Sequence, residues 1–173
     1  MPKSDEEADQ NIMDRVKAND PAALTYMGKT RYNEGNYGEA FEYYTKAAAL
    51  GDIESHYEIT GAYRYGRGVE KDAKKEMYHW EEAAIGGHPK ARIFLGNHEG
   101  ENGRFDRATK HLVIAAKLGH DDALEGVKVN FRRGLVSKED YEAALRGHQA
   151  AVDATKSEQR EEAYAYYELR NQE

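Results

Sequence analysis

The chain of 173 residues contains no cysteine, which excludes several classes of protein at once. Without a thiol it can form no disulfide, no cysteine-ligated metal site and no catalytic thiolate. No apolar run approaches the ~20 residues that a membrane-spanning helix needs. The first ten residues are acidic, whereas a signal peptide is basic and then apolar. These absences lead us to expect a soluble intracellular protein, in the cytoplasm and not in a membrane.

Basic residues are too few and too scattered to form a surface for nucleic acid. The net charge is −7, and Met1 to Asp20 and Asp153 to Glu173 each carry six acidic residues against three basic ones. The intervening chain is nearly neutral, so it has no broad basic field to neutralise phosphates. We therefore expect no nucleic-acid partner, and an RNA-binding helical repeat is the disfavoured alternative.

A short pattern of alanines and glycine recurs along the chain, as AAALGD at 47–52, AAIGGH at 83–88 and AAKLGH at 115–120. The closing glycines Gly51, Gly87 and Gly119 are 36 and 32 residues apart. Such spacings fall within the period of about 20 to 50 residues that is typical of stacked supersecondary repeats. Six residues also have counterparts 68 positions later, namely Gly28, Gly35, Tyr37, Ala40, Tyr44 and Ala47 with Gly96, Gly103, Phe105, Ala108, Leu112 and Ala115. We therefore predict an array of repeats that bury their apolar faces against their neighbours.

Each repeat is predicted to contain two helices separated by a glycine turn. The first helices begin at Asp20, Asp52, His88 and His120, where Asp can cap free amides and a following proline suits the first turn. They end at glycines that permit the positive φ angle of a tight turn, which are Gly35, Gly66, Gly68, Gly103 and Gly134. The second helices carry apolar or small residues three and four positions apart, as in Phe105, Ala108, Leu112 and Ala115.

The repeats predict the domain organisation. An array over residues 20–151 contains units at about 20–51, 52–87, 88–119 and 120–151, with an N-terminal capping helix at 1–19 and a C-terminal capping helix or tail at 152–173. Ser4 and Glu7 have capping-box spacing, and Ile12 and Val16 share a face with Met13. Ser137 and Asp140 are predicted to open a long helix, Tyr141 to about Ala154, and a further helix is predicted from Ser157 to Arg170.

The second unit has a longer turn, which carries a G-x-G-V sequence, a following aspartate and a later Ala-Ala pair. These residues are Tyr57, Ile59, Tyr63, Gly66, Gly68, Val69, Asp72, Ala83, Ala84 and Gly87. In this pattern the chain resembles the Sel-like repeat (SLR) family, which is related to the tetratricopeptide repeats; it departs from the family at Thr60 and at His79-Trp80. The resemblance implies an all-α, right-handed α-solenoid of antiparallel helix pairs with capping helices. It also implies a non-enzymatic adaptor or scaffold that binds another protein.

A partner-binding groove can be placed by analogy with tetratricopeptide-like arrays, in which the first helices line a concave surface. The residues at these positions are Lys29, Tyr32, Asn33, Arg64, Tyr65, Asn97, Arg132 and Arg133. The lining is mixed but locally basic, so we expect a protein or peptide partner that carries carboxylates. The alternative is that these residues only solubilise the surface. A monomer is expected, with self-association possible through the C-terminal helix and its residues Tyr164, Tyr166 and Tyr167.

Other candidate sites are better explained by structure. No two of the seven histidines lie one helical turn apart, so we expect no metal site and no cofactor. Four tyrosines and the single tryptophan fall at repeat positions that predict core packing, which are Tyr37, Tyr44, Tyr57, Tyr63 and Trp80. The alternative to an adaptor is a helical enzyme or ligand-binding protein with an unrecognised pocket.

Overall fold

The computed structural model describes residues 5–155, and their side chains from Glu7 onward. Over that range the chain is built from α-helices without a strand, as predicted. The helices are α1 Asp5–Lys17, α2 Pro21–Asn33, α3 Tyr37–Ala49, α4 Ile53–Tyr65, α5 Ala73–Ile85, α6 Pro89–Glu101, α7 Phe105–Lys117, α8 Asp121–Arg132 and α9 Lys138–Thr155. In the described part of the chain, no helix is both long and apolar enough to cross a membrane. The helix predicted from Ser157 to Arg170 lies outside the described residues.

The starts of α2 and α4 are set by the predicted capping residues. Asp20 Oδ1 accepts a hydrogen bond from the backbone amide of Ala22 at 2.9 Å, and Asp52 Oδ1 accepts one from Ser55 at 2.7 Å. These amides lie in the first turn of a helix, where no helical carbonyl is available to them. The side chains therefore decide locally where each helix begins.

The last described helix, α9, begins at Lys138, three residues before the predicted start at Tyr141. The reason is a cap: Ser137 Oγ accepts a hydrogen bond from the Asp140 amide at 3.0 Å and donates one to the Asp140 carboxylate at 2.9 Å. Ser137 is therefore the residue that opens the helix.

The longer turn of the second unit packs tightly against the start of α3. Gly66 and Gly68 have φ angles of 71° and 76°, which side-chain-bearing residues rarely adopt. A Cβ atom at Gly68 would overlap the carbonyl oxygen of Tyr37. The next residue, Val69, packs against the apolar core. The G-x-G-V sequence is therefore a packing element as well as a turn.

The chain divides into two compact units, residues 1–91 and 92–173. In the first, α2 packs against α1 and α3, and α4 packs against α3 and α5; in the second, α7, α8 and α9 pack against one another. The core of the first contains Ala40, Tyr44, Ala48, Ile59 and Tyr63, and that of the second contains Leu112, Val113, Ala115, Ala116, Ala123, Leu124, Val127, Val136 and Ala144. The many alanines allow neighbouring helices to approach closely.

A buried polar network joins α2 to α4. Thr25 Oγ1 lies 2.8 Å from Asp52 Oδ1 and 2.7 Å from Ser55 Oγ, and Ser55 is completely buried. Since buried polar groups are costly without partners, this network favours one relative position of the two helices. It therefore helps to place the surface residues of α2 beside those of α4.

Candidate functional site

The predicted partner-binding residues lie on the first helices of the repeats. In residues 1–91 they are Lys29, Tyr32 and Asn33 near the end of α2, and Arg64 and Tyr65 at the end of α4. In residues 92–173 they are Asn97 on α6, Arg132 at the end of α8 and Arg133 directly after it. A concave groove that includes all of them stays a prediction. The residues on α2 and α4 lie beside a pocket, and two of them form ion pairs.

Lys29 is engaged by carboxylates of α4. Its Nζ lies 2.6 Å from Glu54 Oε1 and 3.6 Å from Glu58 Oε1. Partial burial works against the charge of Lys29, but the hydrogen bond and charge of Glu54 outweigh it and raise the lysine pKa. The charge of Lys29 is therefore balanced within the protein.

Arg64 also has an internal carboxylate partner. Its Nε and Nη2 atoms each lie 2.7 Å from Glu76 Oε1, and its guanidinium lies 5.6 Å from the ring centroid of Trp80. The Trp80 indole donates a hydrogen bond of 3.2 Å to the same oxygen. Trp80 is buried, which confirms its predicted place in the core. Because Lys29 and Arg64 are both paired, this surface is less basic than its sequence indicates.

A small pocket opens beside Arg64 on the surface of α4, and we call it the α4 pocket. Its volume is about 180 Å³, and it is lined by Tyr57, Glu58, Thr60, Gly61, Arg64, Tyr65 and Trp80. The rings of Tyr57 and Trp80 pack edge to face at 5.6 Å and form an aromatic wall. Gly61 leaves space in the lining, since a Cβ atom there would have no heavy atom within 4 Å.

Glu58 gives the α4 pocket an acidic edge. Burial raises the pKa of Glu58 above its ordinary value, although the charge of Lys29 counteracts part of the rise. In the neighbouring Glu54, burial also acts to raise the pKa, but the hydrogen bond and charge of Lys29, assisted by His88, lower it overall. The two carboxylates thus differ in environment although they share one lysine.

Arg67, in the turn after α4, is surrounded by tyrosine rings. Its guanidinium lies 5.5 Å from the ring centroids of Tyr32 and Tyr37 and 5.2 Å from that of Tyr65, and its Nη1 donates a hydrogen bond to the Tyr32 hydroxyl. Among residues 7–155, no carboxylate lies within ion-pair distance of it. We call Arg67 and the three rings the Arg67 cluster. It brings together Tyr32 and Tyr65, the two aromatic residues that the sequence places at the binding surface.

The position of Tyr37 corrects a prediction. The sequence places Tyr37 in the core, but 37% of the residue is exposed and its ring packs edge to face against Tyr32 at 5.1 Å. Tyr44 and Tyr63 are buried, as predicted. Tyr37 is the first residue of α3, and its counterpart Phe105, the first residue of α7, is likewise exposed. The sequence contains a signal for Arg67 itself, because this residue lies between the two turn glycines Gly66 and Gly68.

A histidine pair joins α4 to α5, and sequence spacing could not reveal it because its members lie on different helices. The Nδ1 atoms of His56 and His79 are 3.0 Å apart, and the rings are separated by 5.1 Å. Burial, with a smaller contribution from His56, lowers the pKa of His79 to about 4. No group of three or more His, Asp or Glu side chains that could hold a metal occurs in the described part of the chain.

The fold is shared with proteins of known structure. No protein-family model matches the chain, and no curated protein matches it. Among the solved structures similar to it is a Sel1 repeat protein from Oxalobacter formigenes, which is 26% identical with a TM-score of 0.69 over 88% of this chain and 66% of that one. The fold is that of the Sel-like repeat proteins.

A second structure with the Sel-like repeat fold agrees. It is a protective antigen present in uropathogenic Escherichia coli strains, 20% identical with a TM-score of 0.62 over 87% of this chain and 34% of the antigen. The predicted resemblance and the predicted all-α helical-repeat fold are therefore confirmed. The present chain spans about two thirds of the first Sel-like repeat protein and about one third of the second. The departure at Thr60 is accommodated, because this buried side chain donates a hydrogen bond to the Tyr57 carbonyl at 2.6 Å.

Proposed function

We propose that this protein is a non-enzymatic adaptor that binds a segment of another protein. The binding surface is formed by the α4 pocket and the Arg67 cluster. The observation that carries the proposal is Tyr65, which is 58% exposed and belongs to both features. Exposed tyrosine and arginine are the residue types that most often anchor protein partners.

The size of the α4 pocket favours a peptide side chain over a metabolite. Its volume of about 180 Å³ is below the range of roughly 300 to 1,000 Å³ that is common for small-molecule sites. One side chain of a partner fits such a space, with its backbone lying across the exposed ends of α2 and α4. Repeat folds supply extended surfaces of this kind.

The remaining predicted residues extend the proposal. We assign Asn33 to the edge of the same surface, and Asn97, Arg132 and Arg133 to a partner-binding surface of residues 92–173. The partner is a protein and not a nucleic acid, since a net charge of −7 opposes binding to phosphates. No cofactor is required for this function.

A pocket-filling substitution tests the proposal. Gly61→Leu places a side chain in the α4 pocket, where a Cβ atom would have no heavy atom within 4 Å; Ala49→Leu is the control, because Ala49 is exposed and lies at the opposite end of α3 from Tyr37. The wild type and both variants are used for affinity capture from native extract, followed by mass spectrometry. We expect the wild type and Ala49→Leu to enrich the same protein and Gly61→Leu to lose it. Equal capture by all three, or retention on RNA or heparin at moderate salt, contradicts the proposal.

A further inference from the structure

The backbone on both sides of Arg67 is held in place. Gly66 and Gly68 have left-handed conformations, and Gly68 is pressed against the carbonyl of Tyr37. Val69, which follows, is packed against the core of residues 1–91. Arg67 therefore projects from a turn with a defined position. Binding of a partner there costs little conformational entropy in the backbone of this turn.

The Arg67 side chain is also oriented. Its guanidinium contacts the rings of Tyr32, Tyr37 and Tyr65, and one Nη1 hydrogen is donated to the Tyr32 hydroxyl. Arginine has five N–H donors in a planar fork that matches a carboxylate. In the described part of the chain, its other side-chain donors make no hydrogen bond. The Arg67 guanidinium is thus oriented and still has N–H donors that can bind a ligand.

The charge environment of Arg67 differs from that of its neighbours. Lys29 is paired with Glu54, Arg31 with Glu34 and Glu39, and Arg64 with Glu76; their shortest distances lie between 2.6 and 2.8 Å. Arg67 has no such carboxylate among residues 7–155. Arg67 is thus an oriented cation that no carboxylate of residues 7–155 neutralises, and it can complement a negative group of a partner.

We propose that Arg67 binds an Asp or Glu side chain of the partner, and that the α4 pocket receives an apolar side chain of the same peptide. This inference rests on the proposed function and specifies the chemistry of the partner. Tyr65 links the two subsites, because it lines the pocket and also contacts the Arg67 guanidinium. The ligand is therefore a short acidic-and-apolar motif.

A library of random peptides displayed on phage, with their C-termini fused to the coat protein, tests this chemistry because only side-chain carboxylates are present. Selection on the full chain is expected to enrich peptides with one Asp or Glu near an apolar residue. Arg67→Met, which keeps an apolar chain of similar length, should bind a selected peptide at least about tenfold more weakly. Arg67→Glu should select Lys or Arg in place of the acidic residue. Lys110 is exposed on α7, and Lys110→Glu changes the net charge by the same amount as Arg67→Glu. This control variant should select the wild-type motif.

The outcomes separate this inference from the proposed function. Peptides that Gly61→Leu rejects but that show no acidic enrichment overturn the Arg67 assignment and leave the adaptor function in place. Selection of the same acidic motif by Arg67→Glu also overturns the Arg67 assignment and leaves the adaptor function in place. Failure of the wild type to select any peptide overturns both proposals. Circular dichroism of each variant shows whether it is folded.

Discussion

Gly28 of α2 lies directly against the ring of Tyr44 of α3, and a Cβ atom at Gly28 would be only 2.5 Å from Tyr44 Cε1. The same arrangement recurs 68 residues later, where a Cβ atom at Gly96 would lie 3.0 Å from Leu112 Cγ. A missing side chain on the first helix of each pair thus accommodates a large one on the second. This contact explains why the two positions match in the first and third units.

Gly28→Ala should therefore destabilise the protein. We expect the free energy of unfolding to fall by about 1–3 kcal/mol through overpacking, even though alanine is favoured over glycine within helices. Urea denaturation followed by circular dichroism measures the change. A double-mutant cycle with Tyr44→Leu should show a favourable coupling, because the smaller side chain relieves the overlap. Strictly additive effects would show that the two residues do not constrain each other.

Gly68→Ala should cost more than Gly35→Ala. Both glycines have positive φ angles, but only at Gly68 would a Cβ atom overlap the carbonyl oxygen of Tyr37, whereas nothing lies within 4 Å at Gly35. We expect a loss of about 1 kcal/mol for Gly35→Ala and about 2–4 kcal/mol for Gly68→Ala. Denaturant unfolding of both variants compares them. Similar losses would mean that conformation alone, and not packing, requires glycine at position 68.

Stability should decrease on mild acidification because of His79. Its pKa is lowered from 6.5 to about 4 by burial and by His56, so the unfolded chain binds a proton before the folded one does. The stabilising effect is complete above pH 6.5 and is lost as the pH falls towards 4, with a maximum of about 3 kcal/mol. Denaturation midpoints between pH 7 and pH 4 measure this slope. His79→Gln should reduce it, whereas His98→Gln should not; an unchanged slope in His79→Gln would assign it to other groups.

Deletion of residues 1–19 should lower the melting temperature. α1 packs against α2, and Ile12 and Met13 of α1 line a pocket together with Met27 of α2. We expect a loss of about 1–2 kcal/mol from exposure of this apolar surface, or roughly 3–6 °C. Thermal unfolding by circular dichroism provides the measurement. A melting curve that matches the full chain would show that the segment is not a cap.

The helices and turns could be predicted because their signals act over a few residues. Asp20 and Asp52 cap amides two or three positions away, and the turn glycines adopt their φ angles as single residues. A repeated pattern then identifies the helical-repeat fold. α9 begins three residues before the predicted start at Tyr141, because Ser137 caps the helix and the first turn precedes Tyr141.

The sequence by itself determined the repeat architecture and the residue types at the ends of α2 and α4, because capping, turn formation and helical periodicity are local properties of the chain. Only the tertiary structure decided which cations at the ends of α2 and α4 are paired with a carboxylate of the same chain. Lys29 meets Glu54 25 residues away, and Arg67 meets Tyr32 35 residues away. No local rule relates such partners, since they lie on different elements and are brought together by helix packing. For this reason the predicted cations Lys29 and Arg64 are paired internally, while Arg67, beside them, has no carboxylate partner in the described part of the chain.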